Sequence, residues 1–142
     1  MSSLAIRRLT DALTSQAEAG EAPAQIADAV VATWHEIDAA LAPIVGKAGV
    51  GALYARTLHL TAQTHPWLAD AHDLFPTSID VERLKFLLAQ QSGVDVAAAG
   101  GAFLQTFYQL LAGLIGAALT EQLLHPVLTH RFRHDVTQDL SL

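Results

Sequence analysis

The sequence predicts an all-α fold, a bundle of about five helices around a central apolar helix spanning about 94–124. Three observations carry that expectation. The stretch GGAFLQTFYQLLAGLIGAALTEQLL, Gly100 to Leu124, has no charged side chain between Asp95 and Glu121 and cannot sit on a water-facing surface. The segments before it repeat apolar residues at helical spacing, so each offers a face to cover it. No segment alternates apolar and polar residues between turn residues, so no strand competes.

Taken in order, Leu4, Ile6, Leu9 and Leu13 fall near one side of a short first helix, which Gly20 and Pro23 break. From Ala24 on, Ile26, Val30, Trp34, Ile37, Leu41 and Val45 recur at a period of about 3.6 residues, the clearest helical signal in the chain. His35, Asp28, Ala32 and Ala39 point away from that face. Pro43 lacks a backbone donor and crowds the preceding turn; with Gly46 and Gly49 after it, a kink or short break is expected. The next helix, from about Ala48 to Gln63, buries Val50, Leu53, Tyr54, Leu58 and Leu60 and exposes Arg56 and His59. It stops before His65-Pro66, because the residue ahead of a proline avoids helical dihedrals.

Trp67, Leu68, Ala71, Leu74 and Phe75 then suggest a short apolar turn of helix closed by Pro76. Thr77 or Ser78 caps the following helix, whose buried side is Leu84, Leu87 and Leu88 and whose outer side pairs Glu82 with Lys85. Gly100-Gly101 loosens the start of the central helix, Pro126 ends it, and 127–142 is a polar tail. The expected core is Trp34, Leu41, Leu53, Tyr54, Leu87, Phe103, Phe107, Leu111 and Leu114. LAPIVGKAGVGALY around Gly46 echoes LAGLIGAALTEQLL around Gly116, a likeness that shared composition explains as well as duplication does.

With 142 residues, the chain reads as the single domain 1–142, long enough to bury roughly two-thirds of its unfolded surface. Hydrophobic residues make up 51% and charged residues 15%, too apolar for disorder and poor in surface charge for so small a protein. That excess implies a covering partner, most simply a second copy in a homodimer. Within the central helix, Gln105, Gln109, Ala112, Gly116 and Thr120 form a small or polar stripe, the face where another helix of this chain or its twin is expected to cross. A net charge of -6 argues against a nucleic-acid partner. The start, MSSLAIRRLTDALTSQ, lacks the apolar core of a secretory signal, so a cytoplasmic setting is expected. The apolar run is long enough to span a bilayer, but Gln105, Gln109, its glycines and the amphipathic segments around it argue for a core helix and against a membrane.

The absence of cysteine excludes disulfides, thiolate zinc sites and cysteine nucleophiles. No serine sits in a GxSxG-type turn, and the glycines of the apolar run have no lysine beside them to make a phosphate loop. The seven histidines are therefore the source of any chemistry near neutral pH. His130 and His134 share a face if their segment is helical and are the candidate metal pair, with Asp135 nearby. Solvated histidines are the simpler reading of that tail, and no cofactor is required.

The stretch His35-Glu36-Ile37-Asp38-Ala39-Ala40-Leu41-Ala42-Pro43-Ile44-Val45-Gly46 resembles the H-box of histidine-kinase dimerisation and phosphotransfer domains. That resemblance implies a phosphoacceptor His35, with Glu36 orienting or deprotonating its ring. With no glycine-rich nucleotide-binding region following, it implies a phosphotransfer or decoy module and not a complete kinase. The runs TWHEI, ALYAR, HPWL and DLF, with His59, His65 and His72 around them, are similar to the early helices of globins, a likeness that implies a tetrapyrrole pocket or a haem-free sensor of the same shape. Apart from that likeness, a small apolar molecule held between the central helix and the Trp67 hairpin is the ligand-binding alternative. The reading preferred over both is a non-enzymatic regulatory or protein-interaction module of bacterial signal transduction, because no catalytic set assembles in the sequence.

Overall fold

The fold is all-α. A computed structural model describes residues 4–71 and 81–127, with no strand among the described residues. The first helix, α1 (Leu4–Glu18), buries Ile6, Leu9 and Leu13, the stripe its spacing predicts. α2 (Pro23–Thr61) begins with proline in its first turn, where a missing backbone donor costs nothing. A 3-10 turn, Pro66–Ala71, follows and buries Leu68. α3 (Val81–Ala89) buries Leu84 and Leu88, and α4 (Gly93–Ile115) starts at Ser92, whose hydroxyl oxygen accepts from the Asp95 backbone N–H at 3.1 Å. A last helical segment, α5, covers 117–127.

α2 is interrupted at Gly46, as Pro43 and the glycines predict. Pro43 stays inside the helix and the break falls three positions later, at φ 80 and ψ 159. The chain then reverses. Tyr54 lies twenty positions after Trp34, about 30 Å along a continuous helix, yet their ring centroids are 5.2 Å apart. On the two arms Ile26, Val30, Trp34, Ile37, Leu41, Val50, Tyr54 and Leu58 are buried, while His35, Arg56 and His59 are exposed, matching the expected phases. Thr33, Thr57 and Thr61 are also buried, and each hydroxyl donates to the carbonyl four residues back, at 2.8, 2.6 and 2.7 Å, so no polar group is stranded there.

The expected single helix over 94–124 is instead two. α4 ends at Gly116, which has φ 93 and ψ 151, and α5 turns back along it. The Tyr108 hydroxyl donates to Glu121 Oε1 at 2.7 Å, across thirteen positions that a straight helix would stretch over about 20 Å. Pro126 is still helical, one residue before the end of the described segment. Leu114, expected in the core, is 64% exposed, because the chain leaves the bundle at the break beside it; Leu53 and Leu87 are only partly buried against the core. Gly100 and Gly101 do not loosen α4: both are buried in its uninterrupted interior.

α4 packs against α1 and α2, and α3 packs against α2. At the α2–α4 crossing a Cβ on Gly100 would lie 2.6 Å from Val30 Cγ2, so glycine sets the distance of closest approach. Further along both helices, the Trp34 ring meets Phe103 at 5.7 Å and Phe107 at 4.8 Å, edge to face. Positions that advance together from one crossing mean that the first arm of α2 and α4 run in the same direction. Gly46 and Gly116 therefore lie at the same end. The expected apolar turn at Leu74 and Phe75, the cap at Thr77 or Ser78, and the tail beyond 127 lie outside the described residues.

Candidate functional site

Among the described residues the large exposed apolar side chains are Ile44, Phe86, Val94, Leu114 and Leu119, and three of the five belong to the end of the bundle that holds Gly46 and Gly116. Each glycine is preceded by a large aliphatic residue with no cover: Ile44 is 55% exposed and Leu114 64%. Val45 and Ile115, next in line, are half-buried, and Leu119 on α5 is 40% exposed. Within this end the sequence places one charge, Lys47, between Asp38 and Arg56, and none between Asp95 and Glu121. A water-facing helix tip normally carries polar side chains, so two uncovered aliphatic anchors on one end make a surface suited to contact with another apolar surface.

Elsewhere the candidates fall as follows. His35 is exposed on the outer side of α2, and Glu36, one position and about 100° further round the helix, is half-buried. The two side chains thus leave the helix in different directions, one toward solvent and one toward the bundle. The five stripe positions divide at the Gly116 break: Gln105 and Ala112 are half-buried, Gln109 and Gly116 exposed, and Thr120 fully buried on α5, its hydroxyl donating to the Gly116 carbonyl at 2.7 Å. They form no continuous face of one helix.

The centre of the bundle is packed by aromatic side chains. Trp34, Tyr54, Phe103 and Phe107 pack ring on ring, with Tyr54 and Phe103 centroids 5.7 Å apart. His59 is exposed and His65 half-buried, its ring 6.3 Å from that of Trp67. His72 and the metal pair His130 and His134 lie outside the described residues; among the described residues no group of three His, Asp or Glu side chains gathers as a metal site. His125 approaches Glu121 at 3.9 Å, beside the Tyr108 contact.

Two features here had no signal in the sequence. The Lys85 ammonium pairs with Asp28 at 2.6 Å, joining α3 to α2, where the local spacing suggested Glu82 as its partner. That contact holds the Lys85 ammonium above its ordinary range, first through the hydrogen bond from its own side chain to Asp28 and then through the Asp28 charge. The paired exposure of Ile44 and Leu114 is the second, since spacing assigned Leu114 to the core and gave Ile44 no place on a face. Pro23–Thr61 and Gly93–Ile115 are long and apolar enough to cross a membrane by length and composition, a test that the core helices of a folded domain also pass. No known protein family, curated protein or solved structure matches the chain.

Proposed function

We propose that the chain is a helical regulatory or protein-interaction module and not an enzyme, a bundle built around α4 that meets its partner protein through the end carrying Ile44 and Leu114. One observation carries this reading: both helix breaks leave a large aliphatic side chain more than half exposed on the same end, in a region almost free of charge. A signalling role fits a small domain of this kind, whose output is the presence or absence of a contact. The test is a photo-crosslinking amino acid placed at 44 or 114 in cells, with Thr14 and Gln25 as exposed control positions. An adduct with one defined protein from the tip alone, lost in an Ile44→Asp/Leu114→Asp double variant of unchanged melting temperature, is the expected result. Equal labelling at tip and control positions would overturn it.

A second reading is supported by the exposure of His35, which histidine phosphotransfer requires. Incubation with an active histidine kinase or a phosphorylated response regulator should then label His35 and not a His35→Gln variant. No label across several cognate partners would remove this reading and leave the first untouched.

A further inference from the structure

The faint likeness between the segments around Gly46 and Gly116 becomes a different observation once the backbone is known. Both glycines adopt nearly the same rare conformation, φ 80 and ψ 159 against φ 93 and ψ 151. They stand 70 positions apart, and so do the first residues of the helices they end, Pro23 and Gly93. Every residue buried between 26 and 54 has a buried counterpart 70 positions later, and Ile44 and Leu114 are counterparts in exposure. Helical periodicity alone would align the phases of two helices. It would not align where they begin, where they break and how the backbone turns at the break.

The short helices repeat as well. IRRLTDALTSQ from Ile6 and VERLKFLLAQQ from Val81 share Arg8 with Arg83, Leu9 with Leu84, Leu13 with Leu88 and Gln16 with Gln91, and both leucine pairs are buried. The segment between short and long helix is five residues longer in the first half, with short-helix counterparts 75 apart and long-helix counterparts 70 apart.

The packing is reciprocal. α1 lies on α4 and α3 lies on α2, while each short helix touches the long helix of its own half only slightly. Where α2 and α4 cross, Val30 meets Gly100, and these two residues are counterparts. A position that contacts its own counterpart lies on a twofold axis. There a valine on one side and a glycine on the other allow a closer approach than two valines would.

We propose that the chain is two copies of one helix–helix–glycine–helix unit, fused in tandem and packed about an internal pseudo-twofold axis with their short helices exchanged. The second unit occupies the apolar surface that a partner copy would cover, so the full chain is a monomer. This stands apart from the reading of the tip as a partner surface: either can fail alone.

The pseudo-symmetry specifies a contact to test. Thr10 lies against Gly101, where an added Cβ would be 3.4 Å from Thr10 Cβ, close to the separation a disulfide needs. The axis carries that pair onto Lys85 and Val31. The natural chain has no cysteine, so paired cysteines can be introduced and oxidised in the full-length protein without background. Thr10→Cys/Gly101→Cys and Lys85→Cys/Val31→Cys should both close within one chain. The pairs joining each short helix to its own long helix, Thr10→Cys/Val31→Cys and Lys85→Cys/Gly101→Cys, should not. Light scattering of the unaltered protein at micromolar concentration should return the mass of one chain, 15.1 kDa. Closure of the within-unit pairs, failure of the Lys85–Val31 pair beside success of Thr10–Gly101, or a dimer mass would each overturn the proposal. The mass measurement stands even if a cysteine variant does not fold.

Discussion

The turns at Gly46 and Gly116 share a backbone, but the arms that follow them are held by different means. After Gly46 the returning arm of α2 is fixed by an aromatic ring: Tyr54 packs on Trp34 at 5.2 Å and on Phe103 at 5.7 Å. After Gly116, α5 is fixed by a polar contact, Tyr108 to Glu121 at 2.7 Å, together with the buried Thr120 and Leu124. The difference separates two jobs that a helix break must do. Glycine allows the reversal, since a side chain at that φ and ψ would collide with its own backbone. A contact made far away in sequence decides whether the reversed arm stays down, and its chemistry is free to vary.

The largest effect should come from the aromatic anchor. Trp34→Ala removes the ring that touches Tyr54, Phe103 and Phe107 at once, joining both arms of α2 to α4. A buried tryptophan cut to alanine costs about 3–5 kcal/mol. Urea unfolding should show this as a lowered midpoint with little change in slope. A loss no larger than that of an exposed substitution would mean that the arm after Gly46 is held by something other than the rings.

Next come the glycines. Gly46→Leu and Gly116→Leu each place a side chain at positive φ in a region that is essentially restricted to glycine, at a cost of about 1–3 kcal/mol. Gly113→Leu should cost nothing, because it is helical and exposed and a Cβ there meets no atom within 4 Å. Equal destabilisation by Gly113→Leu and Gly116→Leu, read from thermal melts, would show that the break is not where the backbone places it. The sequence stripe also singled out Gly116 over Gly113, but as a crossing point for another helix. The backbone conformation is a sufficient reason, and it holds at Gly46 as well.

That pair of glycines also shows what a sequence of this kind can and cannot reveal. The break at Gly46 is legible because Pro43 and Gly49 flank it with residues that disfavour continued helix. Gly116 sits among apolar residues with no proline before Pro126, just as Gly100 and Gly101 do, yet it ends a helix while they lie inside one. Nothing local distinguishes them. Gly100 is glycine because Val30 stands against it, and Gly101 because Thr10 does, partners 70 and 91 positions away. For the same reason the phases of α1, α2 and α3 were readable from spacing, whereas the exposure of Leu114 and the pairing of Lys85 with Asp28 depend on where helices meet. The outward position of His35 was legible because it is a matter of phase alone.

A smaller effect should follow from loosening α5. Tyr108→Phe keeps the buried ring and removes the hydroxyl that donates to Glu121, a partly exposed acceptor, so about 1 kcal/mol is expected. The loss should be local. Amide hydrogen exchange should accelerate across 117–127 while the arm of α2 after Gly46 keeps its protection. Acceleration in both arms would show that the two are coupled and that the polar anchor is not private to its own turn.

The smallest effect belongs to the ion pair that joins α3 to α2, and its value lies in its sign. Lys85 and Asp28 are both well exposed, so solvent and salt screen the pair, and Asp28→Asn should lower the melting temperature only slightly at low ionic strength and not at all in high salt. The Lys85 ammonium is held above its ordinary range by Asp28, so the folded chain keeps its proton longer than the unfolded chain does. Its contribution is then fully present below the ordinary lysine range and is lost as pH rises through the raised value. The difference between the natural chain and Asp28→Asn should thus close on the alkaline side and stay constant near neutrality. The position equivalent to Lys85 in the other short helix is Thr10, which touches α4 at Gly101 through a methyl group and has no charge to titrate. A Thr10→Val variant should therefore be flat over the same pH range, and an alkaline dependence in both variants would mean that another group governs how the short helices sit on the long ones.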